Sequence, residues 1–135
     1  MADAATDDEL KMALQDHLEQ TVVQRDRIEK LLAGIDGASR SHVCAAMQGL
    51  IEEGEGMIES VTDPEVRDAG LIAAAQRVEH YEIAAYGTVI EFARILGRED
   101  DVPALEQTLG EEKEANNLLT KIATNAVNQA AAAAA

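Results

Sequence analysis

The chain has 135 residues, about one domain's worth and enough for one hydrophobic core. Eleven lysines and arginines stand against 26 aspartates and glutamates, and the resulting charge of −15 disfavours nucleic acid and membrane surfaces as partners. One cysteine, no basic-then-apolar leader and no apolar run near the roughly 20 residues of a spanning helix predict a soluble protein of the reducing cytoplasm.

No stretch alternates with the period of a strand, whereas Ala, Leu, Glu, Gln and Ile recur at helical spacing, so the chain is predicted to be all-α. Asp7 or Asp8 caps a first helix carrying Leu10, Leu14, Leu18, Ile28, Leu31 and Leu32 and ending at Gly34. Ser39 or Ser41 caps a second, with Val43, Met47, Leu50, Ile51, Met57 and Ile58. Gly49, Gly54 and Gly56 weaken that helix by about 1 kcal/mol each relative to alanine, so it either packs closely or frays. Cys44 lies in its apolar run and reads as a buried, inert thiol, and His42 reads as a surface residue.

Thr62-Asp63-Pro64-Glu65 combines a capping-box spacing with a proline in the first turn and opens a third helix, running to about Gly97. Asp100 or Asp101 caps a fourth, with Pro103 in its first turn, continuing to about Ala126. Residues 1–128 then form one helical domain and 129–135 an alanine-rich tail. Short Gly, Asp and Ser connections between helices imply antiparallel neighbours in a bundle of about four helices.

Polar residues interrupt the apolar seams at mid-length. On the third helix one face reads Leu71, Ala75, Val78, Glu82, Ala85, Val89, Phe92, Leu96, and the next reads Ile72, Gln76, Glu79, Ile83, Tyr86, Ile90, Ala93. The fourth presents Leu105, Leu109, Glu112, Asn116, Leu119, Ala123, and the first presents Leu10, Leu14, His17, Thr21, Gln24, Ile28, Leu31, with Glu19 and Gln20 beside its polar centre. A buried carboxylate without a partner costs several kcal/mol, so these groups must be neutralised, hydrogen-bonded or bound to a cation. A divalent metal at mid-height satisfies that demand. So does a network in which Glu82 and Glu112 accept bonds from Tyr81, Tyr86, His80 or His17, or share a proton. His80 and Tyr86 read as supporting groups rather than ligands. P-loop, dinucleotide, paired-cysteine zinc and nucleophile-base patterns are all missing from the sequence.

The segments "DPEVRDAGLIAAAQRVEHYEIAAYGT", "QTLGEEKEANNLLTKIATNAVN", "AAMQGLIEEGEGMIES" and "ELKMALQDHLEQT" together resemble the YciE/YciF family of bacterial ferritin-like proteins over nearly the whole chain. The resemblance implies a ferritin-like antiparallel bundle, an association with stress responses and a carboxylate-bridged di-metal centre. Glu82 and Glu112 match bridging family carboxylates, Glu79 a nearby one, and Glu19 the start of a Glu-x-x-His spacing, which makes these four the implied metal ligands. His17, His80, Tyr86 and Asn116 are the implied supporting residues.

Departures from the family pattern qualify that centre. The family's first long helix is missing ahead of Glu9, Val22 stands where a histidine can follow Glu19, and Gln20, Gly110 and Asn116 replace acidic family residues. A di-metal bundle takes about four carboxylates and two histidines, and no Glu-x-x-His occurs here. The reading is therefore of a degenerate site that holds iron, manganese or no metal, and of a chain that leans away from enzyme activity. A homo-oligomer (dimer, ring or filament) is expected to form through the groove of the missing helix. The alternative is an active di-iron or di-manganese protein that binds or oxidises metal.

Overall fold

A computed structural model describes residues 1–35 and 42–134, and every regular element among them is helical. After a 3-10 turn at Ala2–Ala4 come α1 (Asp8–Ala33), α2 (Ala45–Ser60), α3 (Pro64–Ile95) and α4 (Val102–Ile122), the last running through a π-helical turn at Ala123–Val127 into α5 (Asn128–Ala134). The alanine-rich end is thus helical to Ala134.

Local chemistry accounts for the helix starts. Asp7 accepts from the Leu10 amide at 2.8 Å to cap α1. At α3 Asp63 caps, accepting from Val66 N at 3.0 Å with Pro64 next in line, and Thr62 is left out of the cap. Asp101 precedes α4 without capping it, because its carboxylate is drawn to Arg98 instead. Gly97 adopts φ +70°, the left-handed conformation that turns the chain from α3 towards α4 at low cost.

The second helix differs most from expectation. Ser39 and Ser41 lie outside the described residues, and the helix begins at Ala45, where the Cys44 sulfur accepts from the Met47 amide at 3.5 Å. Cys44 is exposed rather than buried, 2.9 Å from the Tyr81 hydroxyl, and this bond with the neighbouring backbone amides holds its thiol pKa below the ordinary value. The glycines divide in role. Gly54 is buried on Ala74 of α3, and a side chain at Gly70 on the facing helix would meet the Met57 sulfur at 2.5 Å, so bare backbone sets how closely α2 and α3 approach.

The long helix α3 packs on α4, α2 and α5, and α1 packs on α4. Gln24 meets Glu111 while Arg27 meets Thr108, so α1 and α4 run antiparallel. Two apolar clusters form the core: Leu10, Leu71, Ile72, Leu119, Ile122 and Val127 at one end, Ile90, Ala93, Val102 and Leu105 at the other. The polar centre separates them.

Two polar clasps fix the N-terminal half. Buried Asp68 of α3 accepts from Thr6 N (2.9 Å), Thr6 Oγ1 (2.7 Å) and Asp7 N (2.7 Å), placing a carboxylate against the positive start of α1. Arg27 forks onto Glu111 at 2.9 and 3.0 Å, and buried Gln24 adds a bond to the same carboxylate at 3.1 Å. Neither clasp is announced by periodicity.

Among the described residues the bundle is open between α1 and α3. The α3 seam from Val78 to Leu96, expected to be core, leaves Val89, Phe92 (58% exposed) and Leu96 accessible, and across from it Leu18 (62% exposed) and Val22 of α1 are exposed too. A cavity of about 430 Å³ lies at one end among Leu14, Leu18, Met47, Ile51 and Val78, and one of about 150 Å³ lies at the other among Ile28, Leu32, Phe92 and Leu96. The second seam, with Ile72, Glu79, Ile90 and Ala93, is the one that turns inward.

Candidate metal centre

At mid-height three helices each contribute one polar side chain to a common point. His17 of α1 places Nε2 3.1 Å from Glu79 Oε1 of α3 and 3.5 Å from Glu112 Oε2 of α4. Its other nitrogen, Nδ1, meets Gln20 Oε1 at 3.3 Å, which orients the ring. Donor atoms from the three residues all lie within 4.8 Å of one another.

Burial gives this cluster its chemistry. Glu79 is 2% exposed and Glu112 0%, and Glu79 Oε2 and both Glu112 oxygens are inaccessible, with no hydrogen-bond partner among the described residues. Desolvation, the nearby Glu79 carboxyl and the charge of Glu82 push the Glu112 pKa up to about 8. Hydrogen bonding to Glu79, assisted by the charges of Glu79 and Glu112, outweighs burial and raises the His17 pKa to about 9. With no ion bound, His17 would hold its proton beside Glu79, and Glu112 would retain its own at neutral pH. That arrangement limits the buried charge but leaves oxygen lone pairs unused.

Of the sequence-derived ligands, Glu79 and Glu112 come together here. Glu82 is half-buried one turn along α3 and lines the larger groove cavity beside His17 and Glu79, its pKa raised by burial and by Glu79. Glu19 is exposed. It follows His17 by two residues, about 200° around the helix, so both cannot face the centre. His17, expected in support, is the α1 side chain that makes contact. His80 is exposed. Asn116 accepts from Gln76 at 3.2 Å and joins α3 to α4 a turn away. Tyr86 packs beside the Ile90 cluster, and burial with the charges of Glu82 and Glu112 pushes its pKa up to about 12.

The cluster fits one cation. One histidine nitrogen and two carboxylates suit a divalent ion such as iron or manganese, and the orphaned oxygens are acceptors that such an ion would satisfy. They do not fit the usual pair of ions, which takes about four carboxylates and two histidines.

Comparison with known proteins places the chain. The family described as "Domain of unknown function (DUF892)" matches residues 1–132. The chain belongs to this family. It is 45% identical over 132 residues to Protein YciF of Escherichia coli strain K12, covering 97% of this chain and 80% of the relative. The crystal structure of the Escherichia coli stress protein YciF superposes with a TM-score of 0.87 at 45% identity, over 94% of this chain and 80% of that one. YcfI of Rhodopseudomonas palustris, described as a candidate structural protein, superposes with a TM-score of 0.84 at 39% identity, over 88% and 76% of the two chains. The family resemblance and the helical-bundle fold read from the sequence both hold. No described helix is long and apolar enough to cross a membrane.

Proposed function

We propose that the protein is a ferritin-like bundle whose polar centre binds one divalent cation, iron or manganese, rather than the pair of ions that coupled oxidation requires. The observation that carries this reading is that Glu79 and Glu112, brought to His17 from two other helices, bury three carboxylate oxygens without a hydrogen-bond partner among the described residues. His17, Glu79 and Glu112 would hold the ion, with Glu82 adjacent. With three protein donors and no second cluster of metal-ligating side chains among the described residues, the centre suits storage, sensing or structural bracing better than turnover. The Escherichia coli relative, named a stress protein, supports a setting in which metal supply or oxidation changes.

The test is metal content after anaerobic loading with ferrous or manganous ion and desalting. About one ion per chain, lost in a Glu79→Gln/Glu112→Gln variant, is the expected result. Two ions would revive the active di-metal alternative. None would mean that the cluster is a proton-sharing structural core.

A second reading concerns assembly and rests on the open α1/α3 groove. We infer that another copy of the chain covers it, the Leu18–Val22 ridge of one copy lying against the Val89–Phe92–Leu96 ridge of the other. The description of the Rhodopseudomonas relative as a candidate structural protein favours this role. A monomer by light scattering at micromolar concentration would reject it.

A further inference from the structure

The centre is reached from two sides of very different character. On one side is the α1/α3 groove, lined by Leu18, Met47, Ile51 and Val78, with Thr21 and half-buried Glu82 beside His17 and Glu79. On the other, a cavity of about 270 Å³ opens between α1 and α4. His17 and Glu79 line both cavities and form the partition between them.

The α1/α4 cavity is acidic at its opening. Asp16 and Glu114 line it and are exposed, and neither has a salt-bridge partner among the described residues. Glu111 lines it as well, but its charge is taken up by the Arg27 fork. Ala13, Leu14, Ala115, Leu118 and Leu119 make up the apolar wall. At its inner end stands Glu79, 2% exposed, with Oε2 buried and unpartnered. Free carboxylates at the mouth and an unsatisfied carboxylate at the base form a graded path of oxygen ligands.

We propose that divalent cations reach His17, Glu79 and Glu112 through the α1/α4 cavity, captured at its mouth by Asp16 and Glu114, and not through the α1/α3 groove, whose mouth carries no carboxylate among the described residues. The proposal rests on the reading of the cluster as a cation site. A hydrated divalent ion sheds water reluctantly, so a route with carboxylates already at its exposed mouth is favoured over one whose exposed lining is Leu18 and Ile51 and whose carboxylates, Glu79 and Glu82, lie farther in. Oriented surface carboxylates also raise the local cation concentration and the capture rate. Because Glu79 serves both the entrance and the centre, an ion passing the mouth meets its first permanent ligand at the end of the cavity.

The route is tested by the rate of manganous ion uptake, read as loss of the hexaaquo Mn²⁺ EPR signal after rapid mixing and freezing. Asp16→Asn/Glu114→Gln is expected to slow association about five-fold and to flatten its salt dependence, while saturating occupancy stays at the wild-type level. Ala115→Phe, which fills the cavity wall, should slow uptake further with occupancy again retained. Glu99→Gln/Asp100→Asn, an equal change of charge at the exposed turn before α4, should leave the rate within about two-fold of wild type. Equal rates for the Asp16/Glu114 variant and wild type, or equal slowing by the distant control, would overturn the route while leaving the site intact. A wild-type protein that takes up no Mn²⁺ would overturn the site and the route together.

Discussion

His17 Nε2 lies 3.1 Å from Glu79 Oε1, the contact that ties α1 to α3 across the polar centre of the bundle. Their partner Glu112 comes from α4, so one network links three long helices, and its energetics follow from how each group is solvated.

With no ion bound, Glu112 destabilises the fold at pH 8, because ionising its fully buried carboxyl, whose pKa burial pushes up to about 8, places a charge beside Glu79 and Glu82. Glu112→Gln keeps the shape and brings an amide that can donate to Glu79, so chelator-treated protein should gain on the order of 2 kcal/mol at pH 8. The same variant should lose Mn²⁺ retention. Urea unfolding with and without Mn²⁺ reads both effects, and a variant less stable than wild type in chelator would contradict the account.

The pH dependence has a definite sign. Glu112 rises from 4.5 to about 8 and His17 from 6.5 to about 9, so between these limits the native state binds more protons than the unfolded chain. His17's contribution is complete below its unfolded pKa and is lost as pH passes about 9, and Glu112 opposes folding increasingly from about 4.5 to 8. Metal-free protein should therefore melt at falling temperature as pH rises from 5 to 9. Mn²⁺ binding at pH 7 should expel up to two protons, measurable by calorimetry in buffers of different ionisation enthalpy. Stability that increases with pH across this range, or binding without proton release, would rule out this electrostatic assignment.

Asp68 should be among the most sensitive positions outside the centre. Asp68→Ala removes the acceptor for Thr6 N, Thr6 Oγ1 and Asp7 N, and the expected loss is about 3 kcal/mol with faster amide exchange at residues 6 and 7. A loss under about 1 kcal/mol would show that water replaces the carboxylate at little cost.

Self-association through the groove predicts that Leu18→Asp and Phe92→Asp each shift sedimentation towards the monomer while helicity by circular dichroism is unchanged. Both side chains are largely exposed in the single chain, so neither substitution disturbs its core. Unaltered sedimentation in both variants would remove the groove from the interface.

The helices were legible because their punctuation is local: Asp7, Asp63, Pro64 and Gly97 act within a turn of where they sit. Glu79 and Glu112 were legible because a carboxylate on an apolar seam breaks the period. The rest depended on rotation and partners that spacing does not encode. Glu19 and His17 are two residues apart, and only the direction α1 turns towards α4 decides which one faces the carboxylates. Val89, Phe92 and Leu96 read as core because the period reports an apolar face without reporting what covers it. Cys44 read as buried for the same reason, although its sulfur instead caps a helix and meets Tyr81. Asp68 and Arg27 gave no signal, since their partners lie 60 to 90 residues away in the chain.

Adjacent Glu111 and Glu112 point about 100° apart on α4 and receive opposite treatment. Arg27, Gln24 and Gln107 grip Glu111 and hold its pKa below the carboxylate norm, whereas Glu112 faces inward without a donor. The grip on one carboxylate works as a rotational lock for the other. With α4 pinned to α1 at Glu111, Glu112 cannot swing out to find water. Its unmet demand is answered by what travels in to it: a proton, a water molecule or a metal ion.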